Sequence, residues 1–241
     1  MVNLLYTEFL KLKRSSMFLI SILGSSVAPF IIAVAAYIHQ PTPPMTFDEL
    51  FYEANLYTLL IIGVPLYGVV TAYLYNREYM ENTLKNLLTI PVSRIGLILS
   101  KMLLLFMWIM MLTMVAWVVT LVLGIITQID GLNTSLLLQS LKQFIIGGML
   151  VFSLSTPIIL VTLVTKNYVP TIIFTVVITL INVMAGNSEH RALFPWYAAG
   201  DIANDTLLPT YPPEYSYLSI AATSIIGFIS MIVYFKKVDI H

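Results

Sequence analysis

The stretch Arg77–Lys101, REYMENTLKNLLTIPVSRIGLILSK, decides how the rest of the chain is read. It carries Arg77, Lys85, Arg94 and Lys101, and an uncharged apolar run lies on each side of it, Leu56–Asn76 before and Met102–Thr127 after. At about 1.5 Å per residue either run is long enough to cross a hydrocarbon core about 30 Å thick. The charged stretch between them is therefore a loop on one side of a membrane. Within it Met80, Leu84, Leu87 and Leu88 recur on one helical face, while Glu81 and Lys85 form an i, i+4 pair on the other. That spacing predicts a short amphipathic helix over residues 80–90. Pro91 ends it, and Ser93 is placed to cap the helix that continues into the next run. Periodicity alone leaves two readings at even odds, a docking element and a helix resting on lipid headgroups.

Outward from this loop, four more uncharged runs of similar length appear, approximately Met17–Ile38, Gln143–Thr165, Asn167–Gly186 and Tyr215–Phe235. The first follows Lys11, Lys13 and Arg14 as a signal peptide would, but it is too long and no small-residue cleavage site follows, so it reads as an anchor. The fourth and fifth are parted only around Lys166, which demands a tight turn between antiparallel helices. Assigning alternate segments places Lys11, Lys13, Arg14, Arg77, Lys85, Arg94, Lys101, Lys166, Lys236 and Lys237 on one face and only Lys142 and Arg191 on the other. Positive residues are retained in the cytoplasm, so both termini are expected there. Dropping a middle crossing would scatter these charges over both faces. The external segments collect Asp48, Glu49, Glu53, Asp130, Glu189, Asp201, Asp205 and Glu214.

Composition agrees: 59% of the 241 residues are apolar and 10% charged, against about 25% charged in a soluble domain. Twelve basic residues balance twelve acidic ones with no strongly basic block, which argues against nucleic acid as a partner. There is no cysteine, hence no disulfide, thiolate metal site or Cys nucleophile. His39, His190 and His241 all lie outside the apolar runs, and no metal site is expected. All twelve carboxylates fall in loops, termini or membrane edges, so a carboxylate relay driving transport is not expected. No crossing holds a His beside a Ser nucleophile, and no Gly-x-x-x-x-Gly-Lys-Ser/Thr phosphate loop occurs. If the chain takes part in driven transport, the energy arrives from another chain, and no ATPase site or bound cofactor of its own is expected. No internal repeat appears, and the longest gap between runs is Asn187–Glu214. The expected fold is an all-α membrane protein, one domain over residues 1–241, with six transmembrane helices.

The order Glu78, Thr83, Leu84, Lys85, Leu87, Leu88, then Pro91-Val92-Ser93-Arg94 and Lys101, resembles the cytoplasmic loop of type-2 ATP-binding-cassette (ABC-2) export permeases. Asn82 departs from the glycine that members often carry before the threonine. The opening Glu8-Phe9-Leu10-Lys11-Leu12-Lys13-Arg14-Ser15 is similar to that of short permeases in the same family. Val2, Leu5, Phe9 and Leu12 line one helical face there, so residues 1–16 are expected to form an amphipathic elbow helix along the cytoplasmic headgroups. Size and amino-terminal pattern look most like permeases of bacitracin-resistance and lantibiotic-immunity transporters. The resemblance implies an exporter of the bacterial cell membrane, a permease homodimer joined to two copies of a separate ATPase subunit that binds ATP and Mg. It also implies that residues 77–101 form the coupling loop, with Glu78, Glu81, Lys85 and Arg94 as coupling residues and Leu84, Leu87 and Leu88 as the apolar contact. The implied substrate is a peptide antibiotic or another amphipathic molecule. A membrane immunity or scaffold protein that sequesters a peptide or lipid is the alternative, and a passive pore a third.

Within the fifth run Thr171, Thr175, Thr179, Asn182 and Gly186 share one small, polar face, and Tyr67, Thr71 and Tyr75 repeat the spacing in the second. Such a stripe suits a helix partner or a cavity better than lipid. Packing inside one chain is as good an explanation as dimer contact and substrate path together. The resemblance places the second and fifth spans beside the central cavity of a dimer. Met102, Met107, Met110, Met111 and Met114, with Trp108 and Trp117, are expected to fill the core or meet lipid rather than substrate. Pro29, Pro65 and Pro157 each remove one helical hydrogen bond, and kinks are expected there. In the external stretch 187–214, Phe194, Trp196 and Tyr197 suit the membrane interface, and Pro195 opens a short helix that Gly200 is expected to end. By resemblance this loop forms the external gate.

Overall fold

The computed structural model describes residues 2–12, 15–39, 44–80 and 94–237. Ten α-helices carry the described chain: α1 (Val2–Leu12), α2 (Ser16–His39), α3 (Phe47–Tyr57), α4 (Gly63–Met80), α5 (Arg94–Ile126), α6 (Thr134–Ser153), α7 (Ser155–Thr165), α8 (Tyr168–Ala185), α9 (Pro195–Asn204) and α10 (Pro213–Lys237). A π turn at Thr58–Ile62 joins α3 to α4, so these two form one crossing, and α6 with α7 form another. Among the described residues six helical stretches are long and apolar enough to span a membrane. They coincide with the six expected runs, and no strand accompanies them beyond one isolated bridge between Thr46 and Asp130.

Two crossings begin about two turns earlier than the apolar runs suggest. The second starts at Phe47 because Thr46 and Glu49 make a reciprocal capping box, the Thr46 hydroxyl accepting from Glu49 N–H and the Glu49 carboxylate from Thr46 N–H. The fourth starts at Thr134, capped by Asn133, whose side chain accepts from Leu136 N–H at 2.8 Å. The fifth is entered through Asn167, which caps α8, after Lys166 has turned the chain in the left-handed conformation, as the narrow gap there requires.

The prolines act unequally. Pro29 lies inside α2 without interrupting it. Pro157 has no N–H for the Ser153 carbonyl one turn earlier, and the helix breaks at Leu154. The Thr156 hydroxyl lies 3.2 Å from that carbonyl and 2.9 Å from the Ser224 carbonyl of α10, so the break also ties two crossings together. Gly227 permits this approach, since a Cβ there would stand 2.8 Å from Pro157 Cδ. Pro65 follows the π turn.

The bundle packs α2 on α5, α4 on α7 and α8, α7 on α10, and α6 on α5. The central core joins Leu59, Tyr67, Val70, Leu105, Trp108, Ile109 and Ile159, and a second cluster fills the outer half around Phe47, Phe51 and Phe144. Trp108 donates its ring N–H to Ser21 and Trp117 to Ser140, both at 3.0 Å, pinning α5 to α2 and α6. The methionines of α5 are half-buried, and Met102, Met107, Met111 and Met114 pack against the two cores. Apolar side chains left outward, such as Leu23, Phe30, Ile173, Leu180, Ile226 and Ile229, form the surface offered to lipid.

The amino-terminal helix is amphipathic. Glu8 and Leu12 turn inward against α5, while Tyr6, Phe9 and Leu10 point out. Of the apolar face read from the sequence, Leu5 and Leu12 pack on the core and Phe9 stays outward, and between them Glu8 meets a cation in the bundle, Lys101 at 3.6 Å. The π turn yields a direct test. A Cβ at Gly63 would overlap the Thr58 carbonyl oxygen, and Gly63→Ala is expected to destabilise the solubilised protein by about 1–3 kcal/mol. An unchanged unfolding midpoint in detergent would count against this backbone.

Candidate functional site

The stripe expected on the fifth crossing is present, and one chain covers most of it. Thr171, Thr175 and Asn182 of α8 are buried and Thr179 is half-buried, while Tyr67 and Thr71 of α4 are buried opposite them. A Cβ at Gly68 would overlap the Thr175 methyl, so glycine is what lets α4 and α8 approach this closely. The Thr171 and Thr162 hydroxyls lie 3.0 Å apart, and Thr71 donates to the Tyr67 carbonyl at 2.7 Å. Five of these six residues thus face a neighbouring helix rather than a lumen or a second copy in this conformation. The stripe is small and polar because two backbones meet there.

Asn182 does the most. In the i→i+5 register of the π turn, Leu60 is the carbonyl whose donor would be Pro65, which has none. Asn182 Nδ2 supplies it at 2.9 Å. The Asn182 Oδ1, the Tyr67 hydroxyl and the Thr58 hydroxyl have no hydrogen-bond partner among the described residues, although all three are buried. A cleft of about 170 Å³ opens beside them, between Leu56, Leu60, Asn182, Gly186 and Tyr197.

Helix α9 closes the outer end of this region. Pro195 opens it at N1, as expected, but it runs through Gly200 to Asn204 and is ended by Asp205 in the left-handed conformation. Gly200 packs against Leu60 instead of stopping the helix. Trp196 and Tyr197 are buried and Phe194 is partly so. Their rings therefore serve as core for α9, not as an interfacial belt: Trp196 and Phe194 pack with Val64, Leu154, Ile178 and Ile220, and Tyr197 joins the central core. Asn55 of α3 donates to Asn204 at 2.9 Å, and Asn204 donates to the Gly200 carbonyl.

A knot secures the loop around α9. Arg191 Nε donates to Asp201 at 2.9 Å, its other nitrogens donate to the Gly186 and Thr206 carbonyls, and its guanidinium stands 5.1 Å from the Tyr197 ring centre. Burial pushes the Asp201 carboxyl above its ordinary range, opposed by Arg191 and the Thr206 hydroxyl. Burial likewise raises the Tyr197 phenol. A raised carboxyl favours folding most below the ordinary carboxylate pKa, and that contribution is lost as pH rises through the folded value. At neutral pH the Arg191 contacts offset the buried charge.

The remaining expected residues are at the inner end. Glu78 belongs to the last turn of α4 and Arg94 is the first residue of α5. Glu81, Leu84, Lys85, Leu87 and Leu88, with the expected 80–90 helix and Ser93, lie outside the described residues. Sequence reasoning missed Asn55, Asn204 and the Arg191–Asp201 pair. The signal for Asn55 was present, an amide directly beside an apolar run.

With this geometry in hand, comparison with known proteins is decisive: residues 4–182 match the family model described as ABC-2 family transporter protein. The chain belongs to the ABC-2 transporter family. The match begins in α1 and runs to Asn182, so it takes in most of α1, the first four crossings and the polar seam of the fifth. The chain is also similar to the bacitracin transport permease protein BCRB of Bacillus licheniformis, at 59% identity over 201 residues, which is 83% of this chain and 97% of that protein. An ABC-2 membrane protein of this kind is a transport subunit.

Two outcomes test the geometry. Asn182→Leu should cost about 1–3 kcal/mol by stranding the Leu60 carbonyl, and Arg191→Met about 3 kcal/mol, the low end for a buried pair because Arg191 stays partly exposed. Thermal unfolding in nanodiscs measures both. Wild-type stability in either would contradict the assigned contacts.

Proposed function

We propose that this chain is the permease subunit of an ATP-driven exporter that removes a bacitracin-like peptide antibiotic from the bacterial cell membrane. The observation that carries the reading is the 59% identity to a bacitracin transport permease across 97% of that protein's length. The chain contains no phosphate loop, so the energy comes from a separate ATPase carrying ATP and Mg. Two permease copies pair to enclose a path, and two ATPase copies dock on their cytoplasmic loops. Both termini and the loop 77–101 face the cytoplasm, where the excess of Lys and Arg places them.

In this reading Leu84, Leu87 and Leu88 form the apolar contact with the ATPase, and Glu78, Glu81, Lys85 and Arg94 orient it. ATP shifts the equilibrium between two arrangements of the spans only by its differential affinity for them. The described conformation is the closed one: Tyr67, Thr71, Thr171, Thr175, Thr179 and Asn182 pack together, and α9 with Phe194, Trp196 and Tyr197 seals the outer end as the gate. Opening parts α4 from α8 and gives the unpartnered Tyr67 and Asn182 groups a polar ligand or water.

Three results follow. Co-expression with the ATPase should raise bacitracin tolerance of a sensitive host, and inactivating the ATPase phosphate loop should abolish the gain; protection that survived would mean sequestration without turnover. Substituting Leu87 and Leu88 with Asp should release the ATPase in a pull-down while membrane insertion is kept, and undiminished association would reject the docking assignment. Because the chain lacks cysteine, Ser188→Cys should react with an impermeant maleimide on intact cells and Thr89→Cys only after permeabilisation. The reverse pattern would invert the topology.

A further inference from the structure

The coupling loop leaves the membrane from α4 and returns into α5, and one side chain holds both sides of that mouth. Lys101, on the third turn of α5, donates to the Leu74 carbonyl of α4 at 2.7 Å. Its ammonium also stands 3.6 Å from Glu8 of α1 and 5.8 Å from the centre of the Tyr75 ring. Glu8 and Lys101 are each only 4% exposed. A lysine so thoroughly buried is retained at a desolvation cost that an aliphatic residue would avoid, and a buried ion pair contributes geometry more dependably than stability. What this geometry specifies is the relative placement of three helices that share no covalent constraint nearer than the loop itself.

We propose that Lys101 is a positioning residue for transport, the staple through which displacement of the cytoplasmic loop reaches the elbow helix α1 and the spans α4 and α5 as one body. The inference rests on the exporter reading for its direction of force and on the described contacts for its substance. An ammonium suits the task because it can donate a hydrogen to the Leu74 carbonyl while its charge faces the Glu8 carboxylate from the other side. Beside the staple, Leu12 and half-buried Leu5 pack α1 against the core, while its more exposed Tyr6, Phe9 and Leu10 border an apolar cleft with Phe18, Leu104 and Met107.

The test uses the full permease with its ATPase. Lys101→Met alone removes one charge of a buried pair, so the informative variant is the double substitution Glu8→Met with Lys101→Met, which removes both charges and keeps apolar volume. Amide hydrogen exchange across Val2–Leu12, measured on the permease by itself in nanodiscs, should rise by roughly tenfold or more in the double variant. The assembled complex should keep its ATPase and its basal ATP hydrolysis but lose bacitracin-stimulated hydrolysis and cellular bacitracin tolerance by roughly tenfold, within the usual span of coupling between sites. Lys101→Arg, which can still pair with Glu8 and donate to Leu74, should restore both. Unchanged exchange, wild-type tolerance in the double variant, or loss of ATPase association would each overturn the proposal. A wild-type complex that ignores bacitracin would sink the exporter reading separately, and the staple would then stand or fall on the exchange result.

Discussion

Inside a bilayer no water is available to hydrogen-bond a stray backbone group, so every departure from α-helical register has to be repaired by the protein itself. This constraint explains where the polar residues of the chain stand. The Leu60 carbonyl, left without a donor by Pro65 in the π register, is met by the Asn182 amide. The Ser153 carbonyl, left without one by Pro157, is met by the Thr156 hydroxyl. In both places the repairing group reaches beyond its own turn to another crossing, Asn182 from α8 to α4 and Thr156 from α7 to the Ser224 carbonyl of α10. Irregular backbone and interhelical adhesion are thus one feature seen from two sides. A helical interior made only of leucine would pack, but it would have no such preferred register.

The same economy shapes the two ends. At one end Asn55 holds α9 to α3, and Gly200 sits against Leu60, so α9 touches the side chain of the very residue whose carbonyl Asn182 holds. At the other end Lys101 gathers α1, α4 and α5. The second crossing is therefore tied to α9 through one segment and to Lys101 through the other, with the π turn between.

The six crossings were legible because lipid asks for one property over a long window, and runs such as Met102–Thr127 supply it without ambiguity. The Lys166 turn was legible for the converse reason, since so short a gap admits only a sharp reversal. The starts of α3 and α6 were not, because a helix continues past the hydrocarbon once it is capped. Thr46 with Glu49 spelled a capping box, but hydropathy does not register one. The inward turn of Glu8 was not legible, because periodicity groups only the apolar residues of α1, and the cation that meets Glu8 is the distant Lys101. The polar stripe was visible as a stripe. That most of it is consumed by the α4–α8 contact depends on Gly68, 107 positions away from Thr175 in the chain and uninformative without its partner.

That contact also bears on how a path could form. Close backbone approach over small side chains gives much dispersion contact and few hydrogen bonds, so parting α4 from α8 sacrifices packing more than polar bonding. The groups at that contact include Tyr67 and Asn182, which carry buried polar atoms without a hydrogen-bond partner among the described residues. A polar ligand or water arriving there would gain hydrogen bonds that the packed seam withholds, which would narrow the free-energy gap to a parted arrangement. The packed seam therefore holds a small reserve of unsatisfied polarity at the place where parting would expose it. A seam of wholly satisfied residues would offer no such compensation.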